Sequence, residues 1–335
     1  MKLLVVGCGS IGRRHAANAV AHGTVGIVDF DSARAKEVAT ALGIRAYDDL
    51  DTALRWQPDG VVVAVPHDQH LPVATRAIEA GSHVLIEKPI SNVESGLAAF
   101  LDRADALDRK VRVVCNMRFH PGPAMLKQAL PRIGRVLFAR AQYGNYLPDM
   151  RPGADYRELY CARAKAGGGV ILDAIHEIDY VTWLLGEAET VACGAGRLSD
   201  MDIDVEDYAA ITLRHRCGAR SEIHLDYLQR AKRRGCEIVG SDGTLVWLSE
   251  GKRPERCRVR LYEAGAGVWQ DLFADEDLDA NQPYETLMTR FAGMVAGGRE
   301  DGLLDGRTAA AELAVALAGK RAAADERVQH LRKSA

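Results

Sequence analysis

Lys2-Leu3-Leu4-Val5-Val6, then Gly7-Cys8-Gly9-Ser10-Ile11-Gly12, then Asp29 after Thr24-Val25-Gly26-Ile27-Val28: the reading of these stretches decides the fold. An apolar run feeds a glycine triplet, a helical stretch from Ile11 to Ala21 follows, and an acidic residue closes the second apolar run. This order predicts strand, tight turn, helix and strand, the arrangement of a dinucleotide site. Gly7 permits the turn, Gly9 lets the backbone N–H groups around Ser10 and Ile11 approach a pyrophosphate, and Gly12 lets the helix lie close on the sheet. The helix N-terminus then faces the phosphates. Asp29 stands near the ~20-residue spacing expected of the carboxylate that takes the adenosine ribose hydroxyls. Its charge repels a 2′-phosphate, which favours NAD over NADP, while Arg34 just beyond the strand argues the other way.

Working outward, residues 1 to 117 alternate strand and helix patterns, as a parallel sheet covered on both faces does. Val61 to Val65, His83 to Ile86 and Val111 to Val114 read as further strands. Leu71, Ala74 and Ile78 recur at helical spacing, Gly81 stops that helix, and Ser91 with Glu94 reads as a capping box for a helix carrying Leu97, Phe100, Leu101 and Ala104. From residue 118 the pattern changes. After a helix near Pro123 to Leu130, short alternating stretches accumulate: Arg135–Tyr143, Tyr208–Leu213, Ala219–Tyr227, Cys236–Val239, Thr244–Leu248 and Arg258–Tyr262. They predict a largely antiparallel open sheet, followed by an alanine-rich helix from Ala309 to Ala324. The expected architecture is therefore α/β, with a dinucleotide-binding domain over 1–117 and an α+β domain over 118–335 for substrate binding and oligomerisation. The cleft between them would lie over the carboxyl ends of the first sheet.

With 43 basic and 46 acidic residues among 335, the net charge of −3 offers nothing to nucleic acid or an anionic membrane. Seven dispersed cysteines without a C-x-x-C pair argue against a zinc knuckle or disulfide scaffold and suit a reducing cytosol. No stretch approaches the ~18 apolar residues of a membrane span, so a cytoplasmic protein is expected.

Two connections at the carboxyl ends of strands hold chemistry: Pro66-His67-Asp68-Gln69-His70 and Glu87-Lys88-Pro89. Pro66, His67, His70, Glu87 and Lys88 would lie at the nicotinamide end of a dinucleotide, and Pro89 restricts the backbone that aims the Lys88 ammonium. The plainer reading of Lys88 is a surface lysine in a turn. A second constellation is Gly167-Gly168-Gly169 followed by Val170 to Asp179. The glycines allow close backbone approach, and a helix to about Leu185 would set Asp173 and His176 on one face, where a carboxylate can orient an imidazole suited to proton exchange. A core histidine or an acidic surface cluster are the alternatives. His176-Glu177-Ile178-Asp179 lacks the second histidine of a zinc helix, so no metal is expected.

Taken together, Gly7-x-Gly9-x-x-Gly12, Asp29, Glu87-Lys88-Pro89, the triple glycine and Asp173 with His176 resemble the glucose-fructose oxidoreductase/inositol dehydrogenase (Gfo/Idh/MocA) family over nearly the whole chain. The resemblance implies a Rossmann domain and a second domain whose open sheet supports a homodimer or homotetramer. It makes Lys88 the catalytic lysine and His176 the acid/base. In many relatives the aspartate stands four residues before the histidine rather than three. A finer similarity, to the branch associated with bacterial surface sugars, rests on Asn116 to Pro121 and on Tyr143 to Tyr160. Tyrosine faces suit sugar C–H surfaces and guanidinium forks suit carboxylate or phosphate, so Arg118, Tyr143, Asn145, Tyr156 and Arg157 are the expected substrate contacts.

The resulting expectation is an NAD(H)-dependent oxidoreductase acting on a secondary hydroxyl or keto group of a sugar or sugar nucleotide, with surface-polysaccharide biosynthesis as its setting. Two alternatives use the same residues. One is a tightly held NAD that enables glycoside cleavage or elimination by transient oxidation; the other is a non-catalytic NAD-binding regulator.

Overall fold

The computed structural model describes residues 1–252, 254–300 and 302–333. In chain order the elements are β1 Lys2–Val6, α1 Ser10–Ala19, β2 Thr24–Val28, α2 Ser32–Leu42, β3 Arg45–Tyr47, α3 Leu50–Arg55, β4 Gly60–Val63, α4 His70–Glu79, β5 His83–Ile86, α5 Leu97–Ala106 and β6 Val111–Val113. There follow α6 Pro121–Ala129, β7 Val136–Gly144, α7 Val170–Asp173, α8 His176–Leu185, β8 Ala188–Gly196, β9 Tyr208–His215, β10 Arg220–Asp226 and β11 Arg233–Gly240. The last are β12 Gly243–Glu250, β13 Arg256–Glu263, β14 Val268–Asp275, α9 Gln282–Val295, β15 Leu304–Asp305, α10 Gly306–Asp325 and β16 Gln329–His330.

The chain forms two units, one of Met1–Asn116 with Asn281–Ala310, the other of Met117–Ala280 with Ala311–Ala335. The described strands of the first unit run β15-β6-β5-β4-β1-β2-β3, all parallel except β15. This is the doubly wound Rossmann order, reversing direction between β1 and β4. Continuous apolar strands are what a sheet covered on both faces requires, and Leu3, Leu4, Val5, Val61, Val62, Val63, Val84, Leu85 and Ile86 are fully buried.

Residues 281–310 depart from the sequence expectation, which grouped them with the second domain. They pack on the first unit because α9 lies against α1, with reciprocal amide bonds between Asn18 and Asn281 at 3.1 and 3.3 Å, and because β15 extends the parallel sheet at β6. The helix expected to start at Ser91 begins later. Ser91 Oγ accepts from Val93 N–H at 3.2 Å, and α5 starts at Leu97 behind Gly96, whose φ of +77° suits a glycine.

In the second unit the described strands run β14-β13-β12-β11-β7-β10-β9-β8-β16, antiparallel except for the β7–β10 pair. The largely antiparallel expectation holds. Helices α6 and α8 lie on one face of this sheet. Their packing centres on Trp247, which is 1% exposed and sits 5.6 Å from the Tyr180 ring and 5.3 Å from the His120 ring. A Cβ at position 122 would strike the Trp247 indole, which is why α6 carries Gly122 there. No described helix is long and apolar enough to cross a membrane.

Candidate active site

The fingerprint loop leaves β1 at Gly7, whose φ of +104° and close approach to the Ala64 carbonyl exclude a side chain. Its N–H donates to Val28 O at 2.8 Å, tying the loop to the end of β2. Gly12 packs against the Gly7 carbonyl. At Gly9 a Cβ would meet nothing within 4 Å, so the backbone there faces open space at the start of α1. Among the described residues no side chain caps α1 and its first turn, with Ser10 and Ile11, holds no acid. Uncapped N–H groups at a helix start form an anion site, and the residues fit a dinucleotide pyrophosphate. Asp29 completes the loop: its carboxylate accepts from Cys8 N–H at 2.5 Å and Asp31 N–H at 2.8 Å. Arg34 is turned to Asp31, 3.5 Å away. Burial, followed by the charge of Asp29, pushes the Cys8 thiol up to about 12, so it is no nucleophile at neutral pH.

Beside this loop stand the ends of β4 and β5. Pro66 is exposed, His67 is buried, and the His67 and His70 rings lie 5.5 Å apart. Glu87 N–H donates to Val63 O at 2.9 Å, continuing the ladder one residue past β5. The Glu87 carboxylate accepts from Lys88 N–H at 3.1 Å and meets the Nε2 of His15 at 2.7 Å. The Lys88–Pro89 bond is cis, and Lys88 itself is half-buried. His70, expected as a cofactor contact, is fully buried with Nδ1 2.7 Å from Pro89 O and Nε2 2.9 Å from Val65 O. Sequence reasoning missed His15, although its position three residues after Gly12 sets it on the sheet-facing side of α1.

The second unit corrects the expectation of a single helix after the glycines. Instead of one helix from the glycines to Leu185, α7 ends at Asp173, Ala174 leaves the helical region (φ −96°, ψ +31°), and α8 begins at His176. Without a continuous helix, the i,i+3 argument for a shared face lapses. The Asp173 carboxylate accepts from Tyr160 OH at 2.8 Å and Tyr227 OH at 3.2 Å. Both phenols are held well above their usual range, first by burial and then by that carboxylate. His176 is 7% exposed at the start of α8. The triple glycine lets a turn close: Gly168 donates to Arg163 O and Gly169 to Cys161 O, each at 3.0 Å. A Cβ on Gly168 would lie 2.6 to 2.8 Å from three carbonyls.

Of the five expected substrate contacts, Tyr143 and Asn145 join the Asp173 cluster. Tyr143 is hydrogen-bonded to Asn145, burial drives its pKa up to about 12, and the Arg234 guanidinium lies 4.5 Å over its ring. Arg118 lies elsewhere, with Nη2 2.6 Å from Asp179 Oδ1 and 3.0 Å from Glu312. Tyr156 and Arg157 occupy an outer turn, where Tyr156 OH accepts from Asp202 N–H at 3.2 Å and Arg157 forks onto Asp155. Arg234 and its buried ion-pair partner Glu177, 2.8 Å apart, went unrecognised as parts of the cluster. Nothing local in the sequence joins them.

Residues 1–115 match the model described as "Oxidoreductase family, NAD-binding Rossmann fold", and residues 127–246 match the "GFO/IDH/MocA C-terminal domain". The chain is similar to the UDP-N-acetylglucosamine 3-dehydrogenase of Acidithiobacillus ferrooxidans, with 35% identity over 89% of this chain and 80% of that one. It is also similar to the inositol 2-dehydrogenase of Rhizobium meliloti, with 28% identity over 76% and 77% of the two chains. Among solved structures, the WlbA dehydrogenase of Bordetella pertussis, crystallised with NADH and UDP-GlcNAcA, shares the fold at a TM-score of 0.82, with 23% identity and 99% of both chains covered.

Proposed function

The chain belongs to the Gfo/Idh/MocA family of oxidoreductases, and from that premise we propose that it transfers hydride between NAD and a secondary carbinol or keto carbon of a sugar or sugar nucleotide. The observation that carries this reading is the placement of Lys88 at the carboxyl end of β5, in the same sheet edge as the open loop at Gly9 and the carboxylate of Asp29. Gly7, Gly9, Ser10, Ile11, Gly12 and Asp29 would hold the dinucleotide, with Pro66, His67, Glu87 and Lys88 toward its nicotinamide. The cofactor, when bound, supplies the hydride acceptor or donor.

Lys88 binds the substrate oxygen through its ammonium and stabilises the negative charge that develops there. His176 takes the hydroxyl proton in oxidation and returns it in reduction; Lys88 is the alternative shuttle. Tyr143 and Asn145 orient the sugar ring. A sugar nucleotide is favoured by the similarity to the named UDP-N-acetylglucosamine 3-dehydrogenase, and surface-polysaccharide synthesis is the fitting setting. The enzyme would work as a homodimer or homotetramer through the open sheet face, which native mass spectrometry reads directly.

A panel of inositols, free sugars and UDP-sugars, followed at 340 nm with NAD+ and NADP+, tests the class. On the substrate so found, Lys88→Met and His176→Ala should each lower kcat by about 10²–10⁴-fold. Near wild-type turnover in either variant removes that residue from the mechanism. Asp29→Ala should shift the NAD/NADP preference toward NADP by about tenfold, since each tenfold is ~1.4 kcal/mol of discrimination.

A further inference from the structure

We propose that His15 and His70 are positioning residues that brace the Glu87-Lys88-Pro89 turn from two sides and so fix where the Lys88 ammonium is delivered. The inference rests on the reading of Lys88 given above. It assigns neither histidine a contact with cofactor or substrate.

His15 is fully buried in α1, with Nε2 2.7 Å from Glu87 Oε1. Its Nδ1 is buried and has no hydrogen-bond partner among the described residues, so the ring proton sits on Nε2 and is donated to the carboxylate. The Tyr284 ring packs on the imidazole in a T-shaped contact, its centroid 5.9 Å away. The second Glu87 oxygen accepts from Lys88 N–H. One buried carboxylate thus links the fingerprint helix to the backbone of the residue that carries the ammonium. A buried carboxylate is costly without donors, so its orientation is set by these two.

From the opposite side, the His70 ring sits between Val65 O at the end of β4 and Pro89 O just past Lys88. Burial pushes the His70 imidazole below its usual range, so at neutral pH the ring donates one proton. The shorter contact, 2.7 Å from Nδ1 to Pro89 O, takes it. The carbonyl just past Lys88 is then held by a donor from a fully buried ring packed beside the segment that follows β4. A side chain held at its base from two directions has less freedom to misplace its terminus, and misplacement by about 1 Å can cost about 10²-fold in rate.

The test uses the full-length protein with His15→Phe, His15→Gln and His70→Phe. Phenylalanine fills the space without a donor, whereas glutamine returns an N–H toward Glu87. Three quantities are read: NADH affinity by fluorescence, kcat and KM on the substrate found above, and the rate at which N-acetoxysuccinimide labels Lys88 relative to the exposed Lys36, by peptide mass spectrometry. The brace predicts kcat lowered by about 10–100-fold in both phenylalanine variants, with KM and NADH affinity within about threefold. It predicts a Lys88/Lys36 labelling ratio changed by at least about threefold, and recovery of both readouts in His15→Gln to within about threefold of wild type.

Wild-type kcat and labelling ratio in the phenylalanine variants would overturn the proposal. So would a loss of rate that tracks weakened NADH binding and is not recovered by glutamine. His70→Phe carries the test independently if His15→Phe fails to fold. An active Lys88→Met would instead remove the reading of Lys88, while an inactive Lys88→Met beside a fully active His15→Phe removes only the brace.

Discussion

The two units bury polar side chains by different means. In the first, the partners at the site are mostly backbone: Asp29 is held by the N–H groups of Cys8 and Asp31, His70 faces the carbonyls of Val65 and Pro89, and Glu87 takes Lys88 N–H. In the second, side chains hold side chains across long stretches of sequence: Glu177 with Arg234, both Asp179 and Glu312 with Arg118, and Asp173 with Tyr160 and Tyr227. A backbone partner is present whatever residue occupies the neighbouring position. A side-chain partner is present only if tertiary assembly delivers it, and its loss strands a buried group.

The comparison is broken most directly at Arg234. Its side chain is 13% exposed beside a fully buried Glu177, and although burial works against its charge, that carboxylate with Tyr143 holds its pKa above the usual value. Arg234→Met should destabilise the protein by about 3–5 kcal/mol in urea unfolding, because one charge of a buried pair remains without its counterion. In the first unit, Ser82 is buried with Oγ donating to Pro58 O at 2.7 Å, and Ser82→Ala should cost only about 1–2 kcal/mol. Equal losses would show that the distinction between the two interiors has no energetic content.

The same distinction explains what the sequence could reveal. The glycine fingerprint, Asp29 and the Glu87-Lys88-Pro89 turn are legible because each directly follows an apolar run that reads as a strand, and the glycines are demanded by close backbone approach. Strands β9 to β13 are legible because one face is buried, so burial alternates along them. Strand β14 escapes notice because it is an edge strand with no buried residue, and β8 because small residues such as Gly194 and Gly196 interrupt it. The break at Ala174 is invisible to periodicity, since Ala174 and Ile175 are acceptable helix residues; Asp173 is drawn to tyrosines 13 and 54 positions away. His15 had a signal, a polar residue on the buried face of α1, but its partner lies 72 residues on.

The next effect in size is a pH dependence from the second unit. Glu255 receives Ser249 Oγ–H, lies 3.3 Å from Lys232 and 3.4 Å from His120. Burial opposes its ionisation, yet the His120 contact and the Lys232 charge win and hold it down to about 2, against a usual 4.5. A depressed carboxyl pKa contributes stability that is fully present above the unfolded value near 4.5 and is lost as pH falls through about 2. Unfolding free energy measured between pH 5 and pH 2.5 should therefore fall more steeply in the wild type than in Glu255→Gln. Parallel curves would mean that this carboxylate does not sense its partners.

The smallest effect sharpens the comparison at the site itself. If Asp173 is held by phenols rather than acting through a shared helical face, Tyr160→Phe removes one of its two tyrosine donors and should cost about 1–2 kcal/mol. Asp173→Asn keeps the size but lets the amide turn a donor toward a phenol oxygen. Because both changes act on one contact, the double variant should be less destabilised than the sum of the singles, by about 0.5 kcal/mol or more. Tyr227→Phe paired with Asp173→Asn should show the same sign with a smaller coupling, as its 3.2 Å contact is longer than the 2.8 Å of Tyr160. Additive losses within about 0.3 kcal/mol for both pairs would detach Asp173 from the tyrosines and return it to the imidazole three residues on.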